Sequence, residues 1–342
     1  MNPKELLTSS YEFTLPESLI ATHPASPRDS AKLLVYDRST QAITHTLFSE
    51  FENFIPKQCA LIFNDTKVIK ARIFGQKASG GKIELLINRP IDAHNINVYI
   101  RGKVKENTEI FFDKDLVAKV LELHEDGSRL VSFYHHGMLL RFEDLLPIID
   151  IIGHIPLPPY IQRADIENDA TEYQSVFALH EGAVAAPTAS LHFTPEQHQR
   201  ITKTFKNAYI TLHVGSGTFK PVESEIITEH PMHSEFYNIS TKAEEILESE
   251  IPLLCVGTTA TRTVEFFVRH KNIKSGEANL FLHPQNKPLR TNHLLTNFHL
   301  PKSTLLMLVA SFVGLDKTLE LYEEAIKEKY RFYSYGDAML II

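Results

Sequence analysis

Residues 252–270 read PLLCVGTTATRTVEFFVRH, and this stretch decides how the chain is expected to fold. Its first part is a continuous apolar run with the length and composition of a buried β-strand. The run passes through Gly257 directly into a helical pattern, for which Thr258 or Thr259 is the expected N-cap. A strand followed at once by a helix is typical of α/β proteins, whose ligand sites lie in the loops after the strands.

The same alternation continues on both sides of this stretch. After the first helical start at Thr194 the patterns run helix, strand, helix, strand, and a second capping box begins at Thr241. A helix capped by Ser303 is apolar on every side and is therefore expected to be buried. Residues 15–21 predict a further short helix. We therefore expect a mixed α/β main domain with a parallel or mixed sheet, closed as an irregular α/β-barrel-like structure.

The pattern changes to period two between residues 66 and 135, where Gly and Asn separate six short apolar and polar alternations. Six strands in about 70 residues indicate a small β-barrel or sandwich. Because the mixture of helices and strands resumes afterwards, we expect an inserted domain. The prediction is an all-β barrel at 65–136, inserted into an α/β catalytic domain formed by 1–64 and 137–342.

Composition bounds the class of protein. The chain has 342 residues, of which 43% are hydrophobic and 23% charged, as in ordinary globular proteins. No apolar run reaches the roughly 20 residues of a membrane span, and the first residues lack the apolar core of a signal peptide. We therefore expect a cytoplasmic protein that does not bind membranes. Cys59 and Cys255 stand alone and signal neither a disulfide framework nor a thiolate zinc site.

Charge is distributed unevenly along the chain. The net charge is −7, from 35 Lys and Arg against 42 Asp and Glu, which excludes a generally basic nucleic-acid coat. Residues 63–105 nevertheless carry nine Lys or Arg against three acidic residues. This surplus fits either a face that contacts nucleic-acid phosphates or the solvated face of a strand.

The helix start at Thr258 and Thr259 is a candidate anion site. Free backbone N–H groups and the positive end of the helix dipole favour a carboxylate or phosphate there. Arg262 follows one turn later and would add charge. The alternative is that Arg262 forms an ion pair within the helix with Glu265.

Seventeen histidines are present, and several lie in predicted loops or at strand ends. No HExxH or paired HxH motif accompanies them, so we expect no metal site. In the segment MHSE, strand alternation places His233 and Glu235 on one face, which makes them a candidate pair for proton transfer. His213 ends a predicted strand next to two glycines, Gly215 and Gly217, which permit close approach of a ligand.

The segment EGAVAAPTASLHFTP, residues 181–195, is too apolar for a loose surface loop and too rich in Gly, Pro and Thr for a helix or central strand. It is either a tailored loop that carries function or an ordered connection that turns the chain. Two other segments, LLTNFHLPKST and RFYSYGDAM, combine polar and aromatic side chains able to bind a nucleobase. Each of these side chains, taken singly, fits capping or packing as well.

Nine strings occur together in one order and spacing: FNDTKVIKARIFG, IPLPPYI, TEYQSVFA, EGAVAAPTASLHFTPE, TLHVGSGTFKPV, EHPMHSE, VGTTATRTVE, LLTNFHLPKSTLLMLVASFVG and YRFYSYGDAMLI. In this arrangement the chain closely resembles the S-adenosylmethionine:tRNA ribosyltransferase-isomerase family of queuosine biosynthesis. The resemblance covers nearly the whole chain and implies the same two-part architecture that the patterns predict.

The resemblance also implies a reaction. The ribosyl part of S-adenosylmethionine moves to the aminomethyl group of 7-aminomethyl-7-deazaguanine at the wobble position of tRNA, giving epoxyqueuosine, adenine and methionine. It implies that S-adenosylmethionine is a consumed co-substrate, that no metal or other cofactor takes part, and that tRNA is the partner. Separately, we expect a monomer. Two alternatives remain: a non-catalytic RNA-binding protein that uses the basic β-domain, and a metal-dependent hydrolase on a barrel scaffold.

Under this resemblance each candidate residue receives an expected role. Proton transfer is assigned to His233 with Glu235, and to His192 or His213. The substrates are assigned to a larger group, which comprises Thr258, Thr259 and Arg262 for the methionine carboxylate, Pro187 and Thr188 for a dry wall around the sulfonium, and Asn297, His299, Lys302, Tyr335 and Asp337 for the two bases. The tRNA phosphates are assigned to Lys67, Lys70 and Arg72.

This chain departs from the family pattern at Ser190, where the motif usually has Gly. A side chain there would be strained if the backbone needs a positive φ. The segment NLFLHPQNKPL also lacks the usual Pro-Gly turn. Only Ser190 lies within a core motif.

Overall fold

The computed structural model describes residues 3–219 and 222–342, and in this part of the chain it contains eighteen strands and seven α-helices. The strands are β1 Lys32–Asp37, β2 Ala42–Leu47, β3 Ala60–Asn64, β4 Thr66–Val68, β5 Arg72–Lys77, β6 Lys82–Pro90, β7 Asn95–Arg101, β8 Glu109–Phe111, β9 Leu116–Leu123, β10 Ser128–His135, β11 Met138–Leu139, β12 His180–Ala183, β13 Lys206–Leu212, β14 Glu235–Ile239, β15 Leu253–Val256, β16 Ser275–Ala278, β17 Thr291–Asn297 and β18 Ala338–Ile341. The helices are α1 Phe142–Ile152, α2 Asp169–Glu172, α3 Pro195–Thr204, α4 Thr241–Glu248, α5 Thr258–Arg269, α6 Thr304–Val313 and α7 Leu315–Lys327.

A nine-stranded mixed sheet forms the main body, in the order β16-β14-β13-β3-β15-β17-β18-β1-β2. Its centre is parallel, because β3 pairs in parallel with both β13 and β15, and β15 pairs in parallel with β17. Strands buried on both faces need continuous apolar sequences, and every residue of β3 and β15 is buried. The predicted α/β class is confirmed.

Strands β5 to β10 form a closed antiparallel barrel in the order β10-β7-β6-β5-β8-β9, completed by pairing of β9 with β10. The alternating apolar residues that predicted these strands fill its interior, for example Ile73, Leu85, Val98 and Val120. The inserted β-barrel is therefore confirmed. The domain limits at 65 and 136 stay a prediction, while β4 pairs with β12 in a separate small sheet.

Two helix starts are placed differently from the prediction. Gly257 is the N-cap of α5 at φ 94, and neither Thr258 nor Thr259 caps the helix with its side chain. Glycine suits this position because a positive φ is strained for other residues. Ser240 caps α4 by accepting a hydrogen bond from the backbone N–H of Ala243, one residue before the predicted cap.

Other local predictions meet mixed outcomes. Thr194 and Ser303 cap α3 and α6 as expected, each accepting a backbone N–H from three residues later. The predicted helix at 15–21 is wrong, since only a short 3-10 turn at Glu17–Leu19 forms. Helix α6 is mostly buried in the core against the main sheet. None of the helices within 3–219 and 222–342 combines the length and apolar character that crossing a bilayer requires.

Candidate functional site

A pocket lies where the start of α5, the end of β17 and the loop after β12 meet. It encloses about 650 Å³ of space, part of which is open to solvent. The start of α5 contributes Gly257, Thr258 and Thr259 to the wall. The pocket therefore opens at the carboxyl end of the parallel strands, where ligands bind in α/β proteins.

The start of α5 presents backbone donors to this pocket. Gly257 accepts the first intrahelical hydrogen bond from Thr261, so the N–H groups of the first helical residues have no intrahelical acceptor. The Thr259 hydroxyl accepts a hydrogen bond of 3.1 Å from the Asn64 side-chain amide. Asn64 in turn donates to the Leu212 carbonyl. The helix start is therefore fixed to two strands of the sheet and is suited to hold an anion.

The loop 185–189 forms an apolar wall that includes Pro187 and Thr188. It leads into a 3-10 helix, Thr188–His192. The concern about strain at Ser190 is wrong, since this residue lies in the 3-10 helix and not at a positive φ. Its buried hydroxyl has no hydrogen-bond partner among the described residues.

Asn297 connects three parts of the site. Its side-chain carbonyl accepts a hydrogen bond of 3.0 Å from Nε2 of His192, which fixes the tautomer of that ring. Its amide group donates to the backbone carbonyls of Tyr333 at 2.9 Å and Ser334 at 3.2 Å. His192 itself does not line the pocket, and burial lowers its pKa to about 4. The imidazole is therefore neutral at pH 7 and its Nε2 proton is used to hold Asn297.

Tyr333 and Tyr160 line the pocket. Tyr333 belongs to the segment RFYSYGDAM, from which Tyr335 and Asp337 were predicted to bind the bases, and no role was predicted for Tyr160. Tyr333 has a φ of 74, which is unusual for a bulky residue and marks local strain. Its ring lies 4.5 Å from that of Tyr160, centroid to centroid. Burial raises the pKa of Tyr333 to about 12, so its hydroxyl stays protonated. The strained backbone is held by the two hydrogen bonds from the Asn297 amide.

His299 also lines the pocket, and its predicted role in binding a base stays a prediction. Its Nε2 is 2.7 Å from the hydroxyl of Thr296, which itself donates to the Asn297 carbonyl. Burial lowers the pKa of His299 to about 3, so the ring is neutral. Nδ1 has no hydrogen-bond partner among the described residues. His299 therefore offers the pocket a neutral hydrogen-bond acceptor.

Glu235 and Arg262 form a buried ion pair beside the pocket, with 2.7 Å between the guanidinium and a carboxylate oxygen. The other carboxylate oxygen accepts hydrogen bonds from the Gly215 N–H and the Thr218 hydroxyl. Burial disfavours the ionised form, but Arg262, His233 and Gly215 outweigh it and lower the pKa of Glu235 to about 2. This geometry favours an anchoring role for Glu235 over proton transfer. Arg262 pairs with Glu235 and not with Glu265, so the alternative of an intrahelical pair is wrong.

His233 lies beside this pair. Its Nε2 is 3.7 Å from a carboxylate oxygen of Glu235, so the two residues do share one face as predicted. Its ring packs closely on Gly217, where an added Cβ would come within 2.7 Å of the ring. Gly217 adjoins Thr218, which lines the pocket. Gly217, one of the two glycines predicted to permit close approach of a ligand, thus makes room for this imidazole.

His213 lies at the end of β13 but does not line the pocket. Its Nδ1 is 2.8 Å from the hydroxyl of Thr66, and its ring packs against Gly182, whose φ is +149. Burial lowers the pKa of His213 to about 4. These contacts favour a structural role in joining β13 to β4.

Three residues predicted to bind the bases lie outside the pocket wall. Lys302 pairs with Glu12 at the surface. The buried hydroxyl of Tyr335 donates to Asp169 at 3.0 Å. Asp337 accepts hydrogen bonds from the backbone N–H of Arg331 and from its guanidinium. The side chains of Tyr335 and Asp337 are therefore occupied by contacts that hold the C-terminal segment in place.

The three cations predicted to bind tRNA phosphates are each paired with an acidic residue. Lys67 lies 2.8 Å from Glu181, Lys70 lies 3.3 Å from Asp150, and Arg72 lies 2.7 Å from Glu84. The Lys67 pair is exposed, and exposed pairs are weak and can exchange partners, whereas the Arg72 pair with Glu84 is partly buried. The assignment to phosphates stays a prediction. Within 3–219 and 222–342, no cluster of three or more His, Cys, Asp or Glu side chains has the arrangement of a metal site.

Known proteins resemble this chain over its whole length. A family model described as queuosine biosynthesis protein matches residues 8–341. The S-adenosylmethionine:tRNA ribosyltransferase-isomerase of Sulfurimonas denitrificans is 71% identical over 342 residues, which cover 100% of both chains. The protein of that name from Nitratiruptor sp. is 59% identical and covers 98% of this chain and 99% of its own. A crystal structure of S-adenosylmethionine tRNA ribosyltransferase from Thermotoga maritima has a TM-score of 0.53 at 32% identity, covering 97% of this chain and 100% of that one.

Proposed function

The chain belongs to the queuosine biosynthesis protein family, and we propose that it is an S-adenosylmethionine-dependent tRNA ribosyltransferase-isomerase. It transfers and isomerises the ribosyl group of S-adenosylmethionine onto 7-aminomethyl-7-deazaguanine at the wobble position of tRNA. Epoxyqueuosine-tRNA, adenine and methionine are the products. The observation that carries this proposal is 71% identity over the full length to a relative of that name.

The pocket at the start of α5 is our proposed site for S-adenosylmethionine. The free N–H groups after Gly257 suit the methionine carboxylate. The apolar loop 185–189 would surround the sulfonium and exclude water. Tyr333 offers an aromatic face for adenine, and Nδ1 of His299 is an acceptor for an amino or hydroxyl group of the substrate.

The reaction needs a base that removes a proton from the 5′ carbon, which the neighbouring sulfonium acidifies. Among the four residues assigned to proton transfer, we propose His233 as this base. His233 does not line the pocket itself, but its ring packs on Gly217, next to the pocket residue Thr218. Its side chain is 28% exposed, and it faces the ionised Glu235. Glu235 and Arg262 support it by holding the loop that carries Gly215 and Thr218.

The proposed base has its own test. His233→Ala should lower turnover by roughly a hundredfold, the usual contribution of a general base, without a matching loss of stability. His213→Ala serves as the control, since the His213 ring is held by the Thr66 hydroxyl and packs against Gly182. Full turnover by the His233 variant would contradict the assignment.

The function itself is tested with undermodified tRNA and S-adenosylmethionine labelled in the ribose. Label should enter the tRNA while adenine is released in equal amount. Binding of tRNA without release of adenine would instead support the non-catalytic RNA-binding alternative. Loss of activity with a strong chelator would support the metal-dependent alternative. We further propose that the enzyme acts as a monomer in the cytoplasm and needs no cofactor beyond the consumed co-substrate.

A further inference from the structure

A second groove lies beside the pocket, between the β-barrel and the Pro-rich segment after α1. It contains about 1620 Å³ of open space. Its floor carries Phe74 of β5, an aromatic side chain that is 49% exposed. Single exposed apolar residues are common on protein surfaces and need no explanation. The surroundings of Phe74 are what distinguish it.

Two flat polar groups flank the Phe74 ring. The Arg72 guanidinium carbon lies 5.2 Å from the ring centroid, and the His154 ring centroid lies 5.1 Å away with the two ring planes inclined by 72°. Backbone hydrogen bonds in both directions join Arg72 to His154, so the two walls of the groove are held together. Phe74 therefore belongs to an ordered cluster of flat side chains, and because the residue is half exposed its ring is accessible to a planar ligand.

The charge of the groove favours an anionic ligand. Arg72 lies 2.7 Å and Arg101 lies 3.9 Å from different oxygens of the same carboxylate, that of Glu84. Two guanidinium groups thus share one counter-charge. The Arg101 side chain is 86% exposed and can reach a phosphate.

The groove and the pocket share a wall. Pro156, Pro158 and Pro159 line the groove, whereas Tyr160 in the same segment lines the pocket. On the opposite side Val184 lines the groove and its neighbour Ala185 lines the pocket. The pocket and the groove that carries Phe74 are therefore adjacent, so that neighbouring nucleotides of one chain can enter both.

We propose that this groove binds an unpaired tRNA nucleotide next to the modified one, with its base stacked on Phe74 and its phosphate near Arg101. This inference rests on the proposed function for the choice of RNA. Stacking on an aromatic ring reads no sequence, so the site would position the tRNA without selecting the base.

The test uses a synthetic anticodon stem-loop RNA and fluorescence anisotropy. Phe74→Ala should weaken binding roughly tenfold, in the range found when stacking aromatics are removed. Phe74→Trp should restore binding. Phe111→Ala is the matched control, because Phe111 is 39% exposed on the same barrel but does not line the groove. Thermal unfolding of each variant establishes that it folds.

A second RNA separates stacking from an indirect effect. When the nucleotides next to the wobble position are abasic, Phe74→Ala should bind as tightly as the unaltered chain does. In turnover, the variant should raise KM for tRNA and leave KM for S-adenosylmethionine unchanged. Unchanged RNA binding by Phe74→Ala, an equal loss in Phe111→Ala, or an equal loss with abasic RNA would each overturn the inference. Absence of adenine release by the unaltered chain would contradict only the proposed function.

Discussion

Asn297 Oδ1 lies 3.0 Å from Nε2 of His192, and through this contact a buried imidazole positions the wall of the pocket. The same Asn297 side chain holds the carbonyl of Tyr333, whose backbone is in the left-handed region. His192 thus acts on the pocket through Asn297 and does not line the pocket itself. This arrangement distinguishes a positioning role from proton transfer.

His192→Gln should keep at least a tenth of the activity, because the glutamine amide can still donate a hydrogen bond to Asn297. His192→Leu removes the donor and should destabilise the fold by about 1–3 kcal/mol, since the buried Asn297 carbonyl loses its partner. Activity assays and urea unfolding measure the two effects. If His192→Gln loses a hundredfold in turnover while its stability is unchanged, the ring itself takes part in the chemistry.

The Glu235 and Arg262 pair should contribute to stability as a unit. Glu235→Gln leaves a buried guanidinium unpaired, and removing one partner of such a pair costs about 3–5 kcal/mol. The double variant with Arg262→Met removes both charges and should recover part of the loss. Urea unfolding of the two single variants and the double variant gives the coupling. Additive losses would show that the pair is not coupled.

Stability should fall as the pH drops from 7 to 5. Burial lowers the pKa of His299 from 6.5 to about 3, so the unfolded chain takes up a proton first. The contribution of the neutral ring is therefore present above pH 6.5 and is lost as the pH falls towards 3. Across pH 7 to 5 this amounts to about 2 kcal/mol for one such histidine. His299→Gln should show a pH dependence that is smaller by about that amount, and an identical slope would contradict the inferred shift.

Lys67→Ala and Lys70→Ala should weaken tRNA binding and reduce its dependence on salt. Each phosphate contact that is lost lowers the slope of log K against log salt by about 0.7–0.9. Lys67 is paired with Glu181, so Glu181→Gln should free this lysine for a phosphate and strengthen tRNA binding. Binding measured across a salt series tests this. A slope that does not change in either lysine variant would exclude contact with phosphate.

Much of the fold follows from patterns that act locally. The period-two alternation in β5 to β10 arises because each barrel strand has one buried and one exposed face. The caps at Thr194 and Ser303 each depend on a residue only three positions later. The start of α5 was predicted one or two residues too late. Thr258 and Thr259 are both good capping residues, and the sequence does not reveal that Gly257 adopts a positive φ.

The site was predicted less completely because its contacts join distant residues. The Tyr335 hydroxyl bonds to Asp169, and the Asp337 carboxylate bonds to Arg331, so neither side chain is available to a ligand. Tyr333, only two residues before Tyr335, lines the pocket instead. No alternation exists in this irregular segment to tell the two tyrosines apart. The carboxylates that pair with the lysines lie about 80 residues or more away in the chain, so their effect is invisible to a charge count.

The central claim is that the pocket at the start of α5 binds S-adenosylmethionine. The most direct measurement is a crystal structure of the chain with S-adenosylmethionine in the absence of tRNA. We predict that the methionine carboxylate lies about 3 Å from the N–H groups of Thr258 and Thr259, with the sulfonium against Pro187. A ligand bound instead in the groove beside Phe74, or a pocket that stays empty at saturating ligand, would contradict the account.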